Sequence, residues 1–165
     1  MMDFLSSALS RPRHIEAART TDMERLAALH EASFPHGWSA HDLAALADDD
    51  AVDALVAVPY GFFGRGQVEG FILMRSAADE AEVLTIAVDP RHRRHGLGQR
   101  LLSAGILAVR QRGAAALFLE VAADNPAALS LYRRNGFQQV GIRKAYLPRG
   151  DGTSASALVM RRDDR

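Results

Sequence analysis

The stretch from residue 89 to 102, DPRHRRHGLGQRLL, sets Arg91, Arg93, Arg94 and Arg100, with His92 and His95, around Gly96 and Gly98. The apolar run AEVLTIAVD leads into it and a leucine pattern leads out. A strand that enters a glycine loop and opens a helix presents amides without internal partners at the partly positive end of the helix dipole. Gly96 and Gly98 let a ligand approach that backbone closely, and Arg93 and Arg94 add charge. Phosphate suits such a place, and two adjacent phosphates use it best. A P-loop needs Gly-Lys-Ser/Thr, but the chain reads Gly98-Gln99-Arg100; a dinucleotide fingerprint needs glycine where Leu101 stands. The plain alternative is a tight strand-to-helix turn with solvated arginines.

Two later side chains are suited to proton transfer. Glu120 is a carboxylate within the apolar run LFLEVA, the setting in which a carboxyl group can act as a general base; the alternative is an outward-facing glutamate on an alternating strand. Tyr132 carries a phenol that is protonated at neutral pH and can donate to a departing anion; the alternative is a helix tyrosine packed on a sheet. The six histidines show no metal spacing, so no metal is expected, and His92 and His95 read as solvated loop residues. Asp42, Asp48, Asp49, Asp50 and Asp53 form an acidic run, either a solvated loop or an attraction for a basic peptide. Trp38 is either a packing anchor or part of a binding groove.

These groups need a scaffold, and the sequence outlines one. HIEAA, at 14–18, reads as a first strand. Thr21 or Asp22 then caps a helix whose Met23, Leu26, Ala27 and Leu29 share a face, and Ser39 caps a second, AHDLAALA. Residues 51–59, 67–75 and 81–89 read as strands, with the glycine-rich YGFFGRG as the turn between the first two. Leu97, Leu101, Ala104 and Ala108 make residues 96–112 helical up to Gly113, and AALFLEV is the strand that holds Glu120. Asn125 and Pro126 start the helix that holds Tyr132, and two late strands flank the turn PRGDG. Strands that both alternate with helices and end in a hairpin imply an α/β fold, a mixed sheet flanked by helices.

Composition narrows the class. A chain of 165 residues is the size of one domain, with 20 basic and 20 acidic residues, 48% hydrophobic and 24% charged. Zero formal net charge argues against nucleic acid or a membrane surface as partner. The absence of cysteine removes disulfides, thiolate metal sites and a cysteine acyl-enzyme. No apolar run approaches a membrane span, and MMDFLSSALSRPR reads as a disordered tail rather than a secretory signal. One domain over 14–165 in the cytoplasm is the expectation.

Arg93-x-x-Gly96-x-Gly98 after TIAVDP resembles the acetyl-CoA signature of the GCN5-related N-acetyltransferases, and DNPAALSLYRRNGF resembles their later Asn-x-x-Ala-x-x-Leu-Tyr-x-x-x-Gly-Phe motif. The two motifs stand in order at compatible spacing, over residues 82–137. The resemblance implies a mixed, mostly antiparallel central sheet of about seven strands flanked by about four helices. It implies acetyl-CoA as cosubstrate, with the backbone of Ile86, Ala87 and Val88 taking the pantetheine arm and the thioester carbonyl through a local bulge. Arg94, His95, Gly96, Leu97, Gly98 and Gln99 would hold the pyrophosphate, and Arg93 stands at the first motif position. Asn125 would touch the cofactor while also capping its helix. Glu120 becomes the base, directly or through a water, and Tyr132 the acid.

Within the family, LTIAVDP, LFLEVAADN, ALSLYRRNGF and FPHGWS look like the branch that acetylates the N-terminal alanine of small-subunit ribosomal protein 18. A ribosomal protein N-terminus is then the expected partner. One departure touches the acceptor side: that branch often pairs two tyrosines before its last hairpin and has acidic residues after the turn. This chain has Tyr146-Leu147 and GTSASALVM. A small amine, a lysine, or a non-catalytic acyl-CoA-binding module are the other readings that the residues leave open.

Overall fold

The computed structural model describes residues 11–164, so the first ten residues of the expected tail lie outside it. Strand β1 (Arg13–Ala17) leads to helices α1 (Met23–Glu31) and α2 (Ala40–Ala47), then to β2 (Val52–Gly61), the two-residue β3 (Gly64–Arg65), β4 (Gly70–Ala77) and β5 (Glu80–Val88). Helix α3 (Leu97–Gln111), β6 (Ala116–Ala122), α4 (Pro126–Arg134), β7 (Gln138–Pro148) and β8 (Ser154–Asp163) follow. The strands form one sheet in the order β1-β2-β4-β5-β6-β8-β7, with β3 hairpinned onto β2. Every adjacent pair is antiparallel except β5 and β6. The expected mixed sheet and four helices are present, and the turn YGFFGRG supplies the extra short strand.

Each helix buries the face that its sequence pattern prescribes. Met23, Leu26 and Leu29 of α1 and Leu43 of α2 cover Val56, Val58, Phe71 and Leu73 on one side of the sheet. Leu97, Leu101, Leu102, Ile106 and Val109 of α3, with Leu129 and Tyr132 of α4, cover Ile72, Met74, Leu117 and Leu119 on the other. Gly105 lets α3 lie close to the sheet, because a Cβ there would stand 2.6 Å from Met74 Sδ. Among the described residues, no helix is long and apolar enough to cross a membrane.

The expected caps hold for two of three helices. Ser39 Oγ accepts the Asp42 N–H at 3.1 Å, and Asn125 Oδ1 accepts the Ala128 N–H at 3.1 Å. Asp22 stands at the start of α1 without capping it. Its carboxylate takes both terminal nitrogens of Arg65 at 2.8 Å and the Arg19 N–H at 2.9 Å. A bidentate guanidinium outcompetes a neutral amide for the same oxygens. The acidic run holds as a solvated turn at the exposed Asp48, Asp49 and Asp50 and differs at its two ends. Asp53 pairs with Arg112 at 2.8 Å, and Asp42 closes the capping box of α2.

Candidate active site

The central feature is a split in the sheet. Parallel pairing of β5 with β6 covers only Glu80–Glu82 against Ala116–Phe118. Beyond it β5 has no partner on its β6 side, and backbone groups that would continue the ladder face an opening instead. That opening is a cleft of about 710 Å³, lined from β5, β6, α4, the end of β7 and the segment that joins α1 to α2.

The glycine loop follows β5 and opens α3 on the α3–α4 face of the sheet. Gly96 is the N-cap of α3 with φ +76°, a conformation that costs any residue with a Cβ, and open space lies in front of it. Arg94 is also left-handed, at φ +64°. Leu97 is buried, anchoring the first turn, while Arg94 and His95 are exposed. Gly98 has room as well, the nearest atom to a hypothetical Cβ being Leu131 Cδ2 at 3.6 Å. The first N–H groups of α3 are free of intrahelical acceptors by helix geometry.

Two sequence-selected side chains in this loop are already engaged. Arg93 turns back, donating from Nε to Val88 O at 3.0 Å and from a terminal nitrogen to Ser33 Oγ at 3.2 Å. Gln99 forms a reciprocal amide pair with Asn135, 2.8 Å in both directions, which ties α3 to the end of α4. Their side chains brace the loop, leaving the Gln99 N–H as that residue's means of meeting a phosphate. Two further residues hold the loop and carry no motif signal. Asp89, 3% exposed, accepts the Arg91 N–H at 2.9 Å and the guanidinium groups of Arg91 and Arg25. Arg91 above all, then Arg25, hold its carboxyl well below the usual carboxylate range despite burial. His92, expected in solvent, faces Glu69 at 3.6 Å.

Along β5, Ile86, Ala87 and Val88 pair in unbroken register with Ile72, Phe71 and Gly70. The bulge expected among them lies earlier. Leu73 opposes Thr85 and Met74 opposes Val83, so Leu84 is the extra residue. Ending the β6 ladder is what exposes the backbone at 86–88, and the bulge only turns the strand before that point.

Glu120 and Tyr132 both line the cleft. Leu119 and Val121 point into the α3–α4 core, so Glu120, between them on β6, projects from the opposite face of the sheet. It is not sealed among apolar groups, as the sequence suggested, since its side chain is 30% exposed and Arg143 Nε lies 3.0 Å away. The two readings of Glu120 thus describe one geometry, an outward-facing carboxylate whose outside is the cleft. Tyr132 is 5% exposed and meets Phe137 edge-on at 5.9 Å. Burial pushes its phenol up to about 12, which keeps it protonated and a donor. Asn125, after capping α4, still has its amide N–H groups for a ligand.

The rest of the cleft comes from the α1–α2 segment and the β7–β8 end. Trp38 both packs and lines the cleft, stacked on His30 at 4.6 Å. Arg149 of the β7–β8 turn pairs with Asp124 across the rim. Tyr146 lies under the Arg143 guanidinium, 5.0 Å from ring centre to cation, and Leu147 lines the cleft.

The split sheet, the free-amide start of α3 and a cleft that holds Glu120 and Tyr132 set the architecture, and comparison with known proteins gives its family. Residues 23–137 match the acetyltransferase (GNAT) family, to which this chain belongs. It is 42% identical over 95 residues to the [ribosomal protein bS18]-alanine N-acetyltransferase of Escherichia coli K12, an alignment that covers 58% of this chain and 64% of the relative. The curated relatives are thus matched over just under two thirds of their length. The crystal structure of the ribosomal-protein-S18-alanine N-acetyltransferase from Escherichia coli superposes with TM-score 0.82 at 31% identity, covering 92% of this chain and 94% of that one. NAA60 of Arabidopsis thaliana, solved with acetyl-CoA, has the same fold, with TM-score 0.81 at 16% identity over 92% and 98% of the two chains.

Proposed function

We propose that this protein transfers the acetyl group of acetyl-CoA to the α-amine of a protein N-terminus in the cytoplasm, with the N-terminal alanine of ribosomal protein S18 as acceptor. The observation that carries the proposal is the two-sided cleft. Tyr132 lines the cleft from the α3–α4 face, where the glycine loop opens α3, while Glu120 projects from the other. Donor and acceptor can therefore enter from opposite sides and meet at the split. The free amides of α3, the open space before Gly96 and the unpaired edge of β5 fit a pyrophosphate followed by an extended arm. The likeness to the bS18-alanine enzymes over the central half of the chain supports the acceptor.

Acetyl-CoA supplies an activated thioester carbonyl. The residues supply the rest. An ammonium is not a nucleophile, so Glu120 takes a proton from the acceptor amine, directly or through a water. The neutral nitrogen then forms the new bond to the carbonyl carbon as the carbon–sulfur bond breaks. Backbone N–H groups of Ile86 and Val88, on the edge turned away from β4, stabilise charge on the carbonyl oxygen. Tyr132 gives its proton to the departing thiolate, and the second proton that the nitrogen sheds on becoming an amide restores the phenol through solvent. Without cysteine, direct transfer needs no acyl-enzyme.

The purified protein with acetyl-CoA should acetylate a peptide that copies the mature S18 N-terminus, read by mass spectrometry. The same peptide blocked at its α-amine, and a lysine-bearing control, should stay unmodified. Product on the lysine or on neither peptide would overturn the acceptor assignment.

A further inference from the structure

His30 presents a hydrogen-bond donor to the cleft that no described residue satisfies. The ring is 3% exposed and forms part of the cleft wall. Phe34 at 4.4 Å and Trp38 at 4.6 Å fix its plane. Its Nδ1 accepts the backbone N–H of Trp38 at 3.0 Å, so the single proton of the neutral ring sits on Nε2. Burial lowers its affinity for a second proton. Nε2–H makes no hydrogen bond to a described residue and is left to the cleft, and on the same wall Thr85 Oγ1 is buried without a partner. Buried polar groups are nearly always paired, so the orphaned Thr85 hydroxyl beside a histidine donor on the cleft wall points to a polar ligand there.

The tautomer says what the ligand offers. With Nδ1 occupied and Nε2 protonated, the ring cannot take the proton of an amine. It can only donate. A protein N-terminus carries a carbonyl one carbon away from the reacting amine, whereas a lysine side chain or a simple alkylamine does not. We propose that His30 Nε2–H receives the first peptide carbonyl of the acceptor and thereby sets the preference for an α-amine over an ε-amine. This inference rests on the N-terminal acetylation reading. A donor that gives up its water to a bound substrate discriminates against substrates that leave it unpaired.

The test compares kcat/KM for an alanine-initiated peptide and for an α-blocked peptide with one lysine, at saturating acetyl-CoA. Wild type, His30→Phe and His30→Gln are assayed together. His30→Phe keeps the aromatic stack but loses the donor. It should lower kcat/KM for the α-amine at least about tenfold, mainly through KM, and shrink the α-to-ε ratio by the same factor. Acetyl-CoA affinity should not change. His30→Gln keeps an N–H and should restore part of the ratio. An unchanged ratio overturns the inference, whether both substrates fall together or neither falls. The wild-type protein gives a second test if the variants do not fold. Replacing the first carbonyl of the peptide by a thiocarbonyl, a poorer acceptor, should slow it severalfold, and equal rates overturn the inference. A wild type that ignores the α-amine altogether overturns the parent reading, and this inference with it.

Discussion

On the α3–α4 side of the sheet the features that suit a cofactor are largely backbone: the first turn of α3, the left-handed Gly96 and the unpaired edge of β5, which borders the cleft. On the opposite face the cleft is lined by side chains from segments far apart in sequence, namely His30, Trp38, Glu120 and Leu147. A backbone site needs few residue types, glycine at one φ and a helix start, and tolerates variation elsewhere. A side-chain site depends on each residue and on the packing that orients it. Cofactor affinity and acceptor choice should therefore be separable by mutation, with the chemistry at the junction belonging to both.

The largest effects belong to that junction. Tyr132→Phe and Glu120→Gln should each lower kcat by about 100-fold or more, as loss of a positioned acid or base does. Acetyl-CoA affinity, measured by calorimetry, should stay near wild type for both. Unchanged turnover at saturating substrate would remove the residue from its role. Loss of acetyl-CoA binding instead would place that residue in the cofactor half.

Tyr132 also predicts an alkaline signature. Its phenol ionises at about 12 in the fold and at about 10 in an unfolded chain. The folded state thus holds the proton more tightly, so this contribution is complete below pH 10 and is lost as the pH rises toward 12. Urea unfolding between pH 9 and 11 should show wild type losing stability faster than Tyr132→Phe, by up to roughly 1–2 kcal/mol. Parallel curves would contradict the buried phenol.

The unequal legibility of the halves has the same origin. The glycine loop, the two helix starts and the α/β alternation could be read because each is a local pattern whose physics acts within a few residues. Gly96 needs its φ, Ser39 and Asn125 need their caps, and Leu97 and Leu101 need their face. Asp22 defeats the local rule, because Arg65, distant in sequence, takes the carboxylate that would cap α1. The bulge sits at Leu84 rather than at 86–88, shortly after the β6 pairing ends at Glu82, and nothing in TIAVDP encodes that place. Arg93 and Gln99 carry the family spacing, yet their side chains brace Ser33, Val88 and Asn135. His30 was the least visible. On the apolar face of α1 it looks like any core residue, and only the fold reveals an N–H left open. A histidine one residue after Leu29, followed by Phe34 and Trp38, is the signal that could have marked it.

Gly96→Val tests the backbone half alone. A β-branched side chain at φ +76° costs about 1–2 kcal/mol in the left-handed region. The loop can avoid that cost only by leaving its amide-presenting shape. Acetyl-CoA should bind about tenfold more weakly, whereas the α-to-ε preference measured at saturating cofactor should be retained. A changed preference with intact cofactor affinity would reverse the assignment of the two halves.

Arg143→Gln should have the smallest effect and gives the finest test of separability. The Arg143–Glu120 pair closes at 3.0 Å, but the arginine side chain is 53% exposed and the carboxylate 30%. Such exposed pairs contribute about 0–1 kcal/mol and weaken with salt. The arginine reaches Glu120 from β7, on the acceptor side, and stacks over Tyr146 rather than over any part of the glycine loop. Its removal should change kcat/KM for the peptide less than about fivefold, with the difference fading in high salt. Thermal stability and acetyl-CoA affinity should hold. A tenfold or larger loss that persists in high salt would make the pair part of how Glu120 is aimed at the amine. A shift in acetyl-CoA affinity would mean that the acceptor wall and the cofactor wall move together, and the division between them would fail.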